Sequence, residues 1–241
     1  MNNPVISVVI PTLNEEKYIK ACLESFKKQT FADFELIITD GASADSTLEI
    51  AKKYTDKILI NSKGNVCQQR DRGLRAALGS ILVGADADTV YPTNYLEGIN
   101  DIFQKEQNVV LVTCRHQTLD GPYWGLFIMR SLTFFVELFY KSLNVLIYAP
   151  AFCISYRKDV FLKIGGYNTN LDFGGDELDV MHRLKKEGKV VYSSGFTVTT
   201  SGRRFKVGFL HFLKHIVINY WLNYMTAKML GRQYISAKPV R

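Results

Sequence analysis

Short apolar runs alternate with amphipathic segments through the first half of the chain. Runs rich in β-branched and aliphatic residues predict strands at 5–10, 34–39, 58–60, 81–83 and 109–113. Apolar residues at helical spacing predict helices after Asn14, at 47–53 and 66–78, and from Pro92 onward, with Asn14 as the cap of the first helix. Strands and helices that alternate with short connections build a parallel sheet covered on both faces. The pattern therefore predicts an α/β fold.

The second half of the chain has a different pattern. A helix predicted at 125–148 carries its polar residues on one narrow stripe, and apolar residues fill most of its remaining surface. Such a helix either lies beneath other parts of the protein or rests in a membrane interface, and both interpretations stay open. Further strands are predicted at 152–156, 190–192 and 197–200, and a basic, aromatic tail extends from 205 to 234.

Composition is that of an ordinary globular protein. The chain has 241 residues, of which 47% are apolar and 22% charged, so one large domain with a sizeable core is expected. The net charge of +7 favours an anionic partner, such as nucleotide phosphates, nucleic acid or an acidic membrane surface. A basic surface that serves only solubility accounts for the charge equally well.

The cysteines and the N-terminal residues bear on the compartment. Cys22, Cys67, Cys114 and Cys153 show no metal-ligand spacing, which is typical of a reduced, intracellular chain. The first residues run directly into a strand, so no secretory leader is expected, and no run of 18 consecutive apolar residues predicts a membrane span. The expected location is the cytoplasm.

Polar residues follow three of the predicted strands at the point where each strand ends. Asp86 and Asp88 follow the fourth strand, Asp40 the second, and Thr12 and Glu15 the first. Ligands bind at the carboxyl edge of such sheets, so these side chains are expected to converge. Two carboxylates one residue apart suit a hard divalent cation, although a solvated turn accounts for the pair taken alone. Asp40 could bind a uracil imide or ribose hydroxyls, or be a plain turn residue.

Other candidate groups lie later in the chain. Asp176 and Glu177 stand at the start of a predicted helix, where acids are also favourable as caps. His211 and His215 lie one helical turn apart, but with no third ligand nearby a partly exposed helix face accounts for them better than a metal site. The glycine motifs of dinucleotide-binding and P-loop sites do not occur.

Five motifs in a fixed order point to one family. They are VVIPTLNEE at 8–16, TDGASADST at 39–47, QRDRG at 69–73, DAD at 86–88, and GGY at 165–167 followed by Asp176 and Glu177. Across about residues 5 to 190, the chain resembles an inverting family 2 glycosyltransferase of the GT-A fold, a group that includes dolichyl-phosphate mannose synthase and many glycolipid and polysaccharide transferases.

The resemblance implies a division of the chain. A GT-A domain over 1–204 would have a Rossmann-like, mostly parallel sheet with helices on both faces, a nucleotide-binding half at 1–110 and an acceptor half at 111–204. An apolar helical insertion would lie in the second half, and a basic helical tail that could associate with a membrane would occupy 205–241.

The resemblance also implies roles for particular residues. Those that would line the pocket of a UDP- or GDP-linked sugar are Pro11, Thr12, Leu13, Glu15, Asp40 and Arg70. Asp88 would be the principal ligand of Mg²⁺ or Mn²⁺, and Asp86 would reach the ribose or the metal. Arg203 and Arg204 would close over the diphosphate, because guanidinium groups match phosphate oxygens.

The family usually has Glu-Asp at the start of the later helix, with the second residue as base. Here the order is reversed, which makes Glu177 the first candidate, Asp176 the second and Asp179 a third. A sugar hydroxyl must be deprotonated, whereas a lipid phosphate is already anionic and needs a base less. The apolar helix and the basic tail suggest a glycan or a polyprenyl- or dolichyl-type lipid as acceptor, with peripheral attachment to the cytoplasmic face of a membrane.

Three alternatives remain at the level of sequence. A sugar-nucleotide nucleotidyltransferase shares the architecture but would carry a glycine-rich, basic phosphate loop after the first strand, and 11–16 is not such a loop. A nucleic-acid-binding protein is disfavoured because the basic residues are dispersed and no known binding module occurs. A catalytically silent sugar-nucleotide-binding scaffold is disfavoured by the intact set of acidic residues.

Overall fold

The computed structural model describes residues 3–61, 65–169 and 176–214. The strands are β1 (Ile6–Thr12), β2 (Phe34–Asp40), β3 (Ile58–Ile60), β4 (Ile81–Gly84), β5 (Thr89–Val90), β6 (Val109–Thr118), β7 (Ile154–Arg157) and β8 (Lys189–Thr200). The helices are α1 (Ile19–Lys27), α2 (Thr47–Ala51), α3 (Val66–Ala76), α4 (Tyr95–Lys105), α5 (Tyr123–Leu143), α6 (Lys158–Lys163), α7 (Asp176–Leu184) and α8 (Phe209–Lys214). Two 3-10 turns lie at Ala151–Cys153 and Arg203–Phe205.

Within the described residues, the strands form one eight-stranded sheet in the order β3-β2-β1-β4-β7-β6-β8-β5. The pairs β1/β2, β1/β4, β2/β3 and β6/β8 are parallel. β7 runs antiparallel to β4 and β6, and β5 runs antiparallel to β8. The predicted α/β class with a mostly parallel sheet is confirmed.

The core lies on both faces of this sheet. Side chains of a strand alternate between its faces, and β1 follows this rule: Val8 and Ile10 join a buried cluster with Phe26 of α1, while Val9 joins a second cluster with Leu74 of α3. Residues of α4 complete the first cluster, and residues of α5, α6 and α7 complete the second. Helices therefore cover both faces, as the pattern predicted.

β1 continues through Pro11 to Thr12, two residues beyond the predicted end. Pro11 has no backbone N–H to donate to a neighbouring strand. The Val9 carbonyl accepts from Ala85 on the β4 side, and Pro11, two residues later, points to that same side. The pairing of β1 with β4 has already ended at Val9 and Gly84, so the missing N–H costs no sheet hydrogen bond.

Asn14 is not the cap of α1, contrary to the sequence prediction. The helix begins at Ile19, and Asn14 has a left-handed backbone with φ of 54°. The Asn14 side chain accepts a hydrogen bond from the Ala44 N–H, and the Asn14 N–H donates to Ser43 Oγ. Asn14 therefore joins the loop after β1 to the loop after β2, at the edge where the predicted site lies.

The two strands predicted at 190–192 and 197–200 form one strand, β8. Its register against β6 shifts between Cys114 and Arg115, which pair with Ser193 and Thr197 respectively. The intervening residues form a bulge rather than a turn, and Phe196 within it packs edge-on against Tyr95 at 5.3 Å between ring centroids. The serine and glycine residues that suggested a turn therefore interrupt the pairing without ending the strand.

The middle of the narrow polar stripe of α5 faces the protein, while Arg130 and Lys141 of the same stripe are exposed. Glu137 accepts a bidentate pair of hydrogen bonds from Nε and one terminal nitrogen of Arg115 of β6, and Thr133 is buried against His116. The opposite, apolar face is exposed over residues that include Tyr123, Phe127, Phe134, Phe135, Leu138 and Leu143. Among the described residues, no helix combines the length and the apolar character that crossing a bilayer requires.

Candidate active site

The ends of β1 and β2 meet in a network of hydrogen bonds. Thr12 pairs with Asp40 in the sheet register, and Thr12 Oγ1 donates to Asp40 Oδ1 at 2.7 Å. Ser43 donates to the same carboxylate twice, from its hydroxyl at 2.6 Å and from its N–H at 2.8 Å. Asp40 is fully buried. Its carboxylate therefore lies at the predicted edge but is directed to donors of this chain, where it fixes the shape of the loop.

Arg203 connects the loop after β1 to the residues after β4. Its two terminal nitrogens donate to the two carboxylate oxygens of Glu15, each at 2.7 Å. Its Nε lies 2.9 Å from Asp88 Oδ2, without the alignment of a hydrogen bond. The guanidinium also stacks over the Tyr18 ring at 4.9 Å from the centroid. Burial opposes the positive charge, but the bonds to Glu15 and the charge of Asp88 outweigh it and raise the pKa of Arg203.

Asp86 and Asp88 place two carboxylates close together after the end of β4. Burial and the negative charge of Asp86 raise the pKa of Asp88 to about 6, although Arg203 and Arg204 act in the opposite direction. Two carboxylates whose mutual repulsion the nearby arginines only partly offset fit a hard divalent cation, whose remaining ligands are water and substrate phosphates. No group of three or more metal-ligating side chains occurs in the described part of the chain.

Arg70 of α3 lies between the β4 edge and the start of α7. One terminal nitrogen donates to Asp86 Oδ1 at 2.7 Å. The other lies 3.6 Å from Asp176 Oδ2 and 3.7 Å from Glu177 Oε1. The Arg70 side chain is only 7% exposed, so these interactions are weakly screened by water. A single buried cation thus brings together acidic residues from two distant parts of the sequence.

The two base candidates differ in accessibility. Asp176 is buried, whereas the Glu177 side chain is 16% exposed and can meet a ligand. Burial and the adjacent Asp176 raise the pKa of Glu177 well above its usual range, against the opposing charge of Arg70. Asp179, the third candidate, forms an ion pair with Arg183 one helical turn later, at 2.6 Å, and is not part of the Arg70 network.

The remaining predicted residues have simpler positions. Pro11 is buried in β1, and Leu13 follows it half-buried. Arg204 is exposed beside Arg203, close enough for its charge to lower the pKa of Asp88. His215 lies outside the described residues, as does the tail from 215 to 241, so the predicted histidine pair and most of the predicted helical tail have no structural description.

Several site residues were not predicted from the sequence. Tyr18 supports the Arg203 guanidinium, and Ser43 binds Asp40. The Tyr91 hydroxyl accepts from the Asp86 N–H and donates to the Phe152 carbonyl. Each is an ordinary residue in a loop or near a helix end, and only loop geometry gives it a role. Of these residues, Ser43 lies within the TDGASADST motif, so the sequence did mark its position as part of the site.

Two solved structures share this architecture. The mannosyltransferase PcManGT from Pyrobaculum calidifontis, in complex with GDP-Man and Mn²⁺, aligns with a TM-score of 0.72 and 16% identity over 98% of this chain and 67% of its own. S. aureus TarS 1–349, in complex with UDP-GlcNAc, aligns with a TM-score of 0.68 and 20% identity over 92% of this chain and 68% of its own. The sheet and its connections therefore define a protein of the GT-A fold class.

Sequence comparison gives the family. The profile described as glycosyl transferase family 2 matches residues 7–165. A PGL/p-HBAD biosynthesis glycosyltransferase from Mycobacterium bovis (strain BCG / Pasteur 1173P2) is 33% identical over 179 residues, a match that covers 70% of this chain and 65% of that protein. The chain belongs to glycosyl transferase family 2. The resemblance predicted from the five motifs is confirmed.

Proposed function

We propose that this protein is an inverting glycosyltransferase that moves a sugar from a UDP- or GDP-linked donor to an acceptor, with Mg²⁺ or Mn²⁺. The observation that carries the proposal is the position of Arg70, which contacts Asp86 on one side and Asp176 and Glu177 on the other. The site thus has acidic groups suited to hold a divalent ion at the leaving group. It also has a candidate base within reach of the same buried cation, Arg70. Structures with the same fold bind GDP-Man and UDP-GlcNAc.

The donor side would be built from the carboxyl ends of β1, β2 and β4. Asp88 and Asp86 would hold the divalent ion, which when bound stabilises negative charge on the departing diphosphate. Glu15 and the loop held by Asp40 would contact ribose and base. Arg203, with its neighbour Arg204, supplies guanidinium groups whose geometry suits phosphate oxygens.

Glu177 would act as the base on the acceptor side. It would take the proton of an acceptor hydroxyl while that oxygen attacks the anomeric carbon and the bond from this carbon to the diphosphate oxygen breaks. The attack comes from the face opposite the leaving group, so the configuration inverts and a nucleoside diphosphate is released. Asp176 is the second candidate. An acceptor that is already an anionic phosphate would need no such proton transfer.

The acceptor is proposed to be membrane-associated, either a glycan or a lipid-linked phosphate. The supporting observation is the exposed apolar face of α5 together with α8, where Leu210 is 78% exposed and Phe127 72% exposed. Lys214 and Arg130 are exposed on the same two helices. After Glu187 the sequence contains no acidic residue. Cations beside exposed apolar side chains are attracted to anionic lipid headgroups.

A nucleoside diphosphate release assay tests the proposed reaction. The protein is incubated with Mn²⁺, UDP- and GDP-linked sugars and membrane-extracted acceptors, and the released UDP or GDP is measured. We expect Glu177→Gln to lower the rate by about 100- to 10,000-fold with a hydroxyl acceptor. Glu187→Gln, a matched change in an exposed ion pair with Lys163, should retain the rate. Absence of release from every donor would contradict the proposal.

A further inference from the structure

Arg203, which was predicted to close over a diphosphate, has its guanidinium paired with two carboxylates in the structure. A residue that closes over a diphosphate should direct its guanidinium toward the space where the phosphates bind. Instead, the Arg203 guanidinium forms its bidentate pair with Glu15 and its ion pair with Asp88. Both carboxylates belong to the proposed donor site. The cation of this one side chain therefore lies beside the carboxylate that is the principal metal-ligand candidate.

The backbone around Arg203 is anchored at several points. The Ser201 N–H donates to the Asp88 carbonyl at 3.0 Å, and the Gly202 N–H donates to Asp120 Oδ1 at 2.8 Å. A Cβ on Gly202 would lie 1.6 Å from the Asp120 carbonyl oxygen, so only glycine fits there. Because the loop backbone is fixed against Asp88 itself, the side chain of Arg203 can change partners while its Cα stays next to the site.

Phe205 anchors the other end of the same turn. Its ring packs edge-on against Trp124 of α5 at 5.5 Å, and a Cβ on Gly125 would lie 2.6 Å from the Phe205 ring. The turn is therefore held between the acidic edge of the sheet and the start of α5. Because both ends of the turn are fixed, a change of partners by Arg203 involves its side chain and not its backbone.

The two contacts of Arg203 differ in strength. The pair with Glu15 has two aligned hydrogen bonds, the geometry in which arginine binds carboxylates most strongly. The contact with Asp88 is close but lacks hydrogen-bond alignment. A divalent cation at Asp88 would lie within a few ångströms of the guanidinium, and two like charges at such a distance repel each other. Free metal must therefore compete with a cation that is already present.

We propose that Arg203 is the resident counter-ion of Asp88 and Glu15 and that donor binding exchanges its partners. When a nucleoside diphosphate and a divalent ion bind together, the guanidinium transfers to the phosphate oxygens. Asp88 is then available to the metal and Glu15 to the nucleoside. Metal binding consequently depends on nucleotide, because only the phosphates offer Arg203 an anion in place of Asp88. This inference rests on the proposed function and adds the order and coupling of binding at the same site.

Mn²⁺ binding measured by electron paramagnetic resonance of the free ion tests the exchange without an activity assay. The full chain is titrated with Mn²⁺ alone and with UDP or GDP present, with correction for Mn²⁺ held by nucleotide in solution. Arg203→Gln removes the cation and keeps a polar side chain. We expect Mn²⁺ alone to bind this variant about tenfold more tightly than wild type, within the usual range of coupling between two ligands. The same variant should lose most of the strengthening of Mn²⁺ binding by nucleotide.

Two further variants separate charge from loop effects. Lys206→Gln removes a cation from the same segment, where Lys206 pairs with exposed Asp120, and should leave Mn²⁺ affinity unchanged. Arg203→Lys keeps the charge but not the bidentate fork, and should lie between wild type and Arg203→Gln. Thermal melting without ligand checks that each variant is folded. If Arg203→Gln does not fold, the Mn²⁺ affinity of Arg203→Lys is compared with that of wild type instead.

The outcomes distinguish this inference from the proposed function. If wild type binds Mn²⁺ with UDP or GDP but Arg203→Gln binds Mn²⁺ alone no better than wild type, the exchange is wrong and the proposed function stands. If wild type binds neither nucleotide with Mn²⁺, both are wrong. A gain in Mn²⁺ affinity that Lys206→Gln reproduces equally would also overturn the exchange, because general positive charge would then explain it.

Discussion

At the scale of single residues, the site depends on how two arginines, the buried Arg70 and the half-buried Arg203, are shared among carboxylates. Arg70 contacts Asp86, Asp176 and Glu177, and Arg203 contacts Glu15 and Asp88. Carboxylates that are buried together repel, and each cation reduces that repulsion. The compensation is incomplete, because the pKa of Asp88 and of Glu177 both remain raised.

The raised pKa of Glu177 predicts a pH dependence for the reaction. A base acts in its deprotonated form, and a raised pKa moves the loss of activity on acidification to higher pH than an ordinary glutamate, near 4.3, would give. We expect kcat/KM with a hydroxyl acceptor to rise with pH through a limb that lies well above that value. The measurement is a pH–rate profile for nucleoside diphosphate release.

Glu177→Gln provides the control for this profile. The variant should lose the acidic limb together with most of its rate, because glutamine does not titrate. A wild-type limb centred near the ordinary glutamate pKa, or the same limb in Glu177→Gln, would show that another group is responsible. Retained turnover by the variant with a lipid phosphate would instead identify the acceptor as one that needs no base.

Part of the site could be predicted from residues alone, and part could not. Strand ends converge on one edge of a parallel sheet, so Thr12, Asp40, Asp86 and Asp88 were expected at the same edge. In the structure Thr12 pairs with Asp40, and β4, which precedes Asp86 and Asp88, pairs with β1. The pairing of Arg203 with Glu15 joins residues 188 positions apart. That contact depends on how the turn after β8 packs against Asp88, which no local pattern encodes.

At the scale of elements, a buried carboxylate joins the starts of β1 and β2, at the edge of the sheet opposite the candidate active site. Glu35 of β2 accepts hydrogen bonds from Ser7 Oγ of β1 at 2.5 Å and from the Leu78 N–H at 2.7 Å, and it pairs with Lys57. The Gly79 N–H donates to Ser7 Oγ in turn. These bonds tie the start of two strands to the loop that leads into β4.

Glu35→Ala should therefore destabilise the fold. Removal of the carboxylate leaves buried donors without a partner, and we expect a loss of about 1–3 kcal/mol in the free energy of unfolding, measured with urea. Burial works against ionisation of Glu35, but the bonds from Lys57 and Ser7 outweigh it, so its pKa is lowered. Its stabilisation is therefore present above the unfolded pKa and is lost as pH falls through the folded value.

A pH series on the same pair of proteins checks this assignment. The difference in unfolding free energy between wild type and Glu35→Ala should shrink below about pH 4, near the ordinary glutamate pKa. Glu97→Ala, in which an exposed hydrogen bond to Thr30 is lost, should show a much smaller difference at every pH. Equal stabilities of wild type and Glu35→Ala at neutral pH would contradict the role of this network.

Periodicity predicted most elements but could not orient α5 or join the halves of β8. The polar stripe of α5 was visible in the sequence, yet its middle residues Glu137 and Thr133 face inward because Arg115 and His116 of β6 offer them partners. A stripe alone does not say which side meets water. Likewise, Gly195 marks a bulge in β8 because both flanking halves find β6 as a partner.

At the scale of the whole molecule, net positive charge and exposed apolar surface are concentrated in the later part of the chain. Leu119, four residues before the start of α5, is exposed like the apolar face of that helix, and α8 adds Phe209 and Leu210. The net charge of the chain is +7. This combination predicts binding to vesicles that contain anionic lipid and weaker binding to zwitterionic vesicles.

Flotation with the two kinds of vesicle measures this binding. A double variant, Phe127→Ser with Phe134→Ser, should remain in the soluble fraction with anionic vesicles at low salt. Leu78→Ser removes an exposed apolar side chain from the α3–β4 connection and should float as wild type does. Wild-type protein that stays soluble with anionic vesicles at low salt would contradict membrane docking and leave the proposed sugar transfer intact.

The central claim is a donor site in which Asp88 joins metal and nucleotide, and ligand-induced thermal stabilisation tests it most directly. At 100 times its Kd, a ligand stabilises the folded state by about 2.7 kcal/mol, which raises the Tm of a chain of this size by about 5–10 °C. We expect such a rise with UDP or GDP only when Mn²⁺ is present, and its loss in Asp88→Asn. A panel in which no nucleotide stabilises the protein, or in which Asp88→Asn keeps the Mn²⁺-dependent rise, would contradict the account.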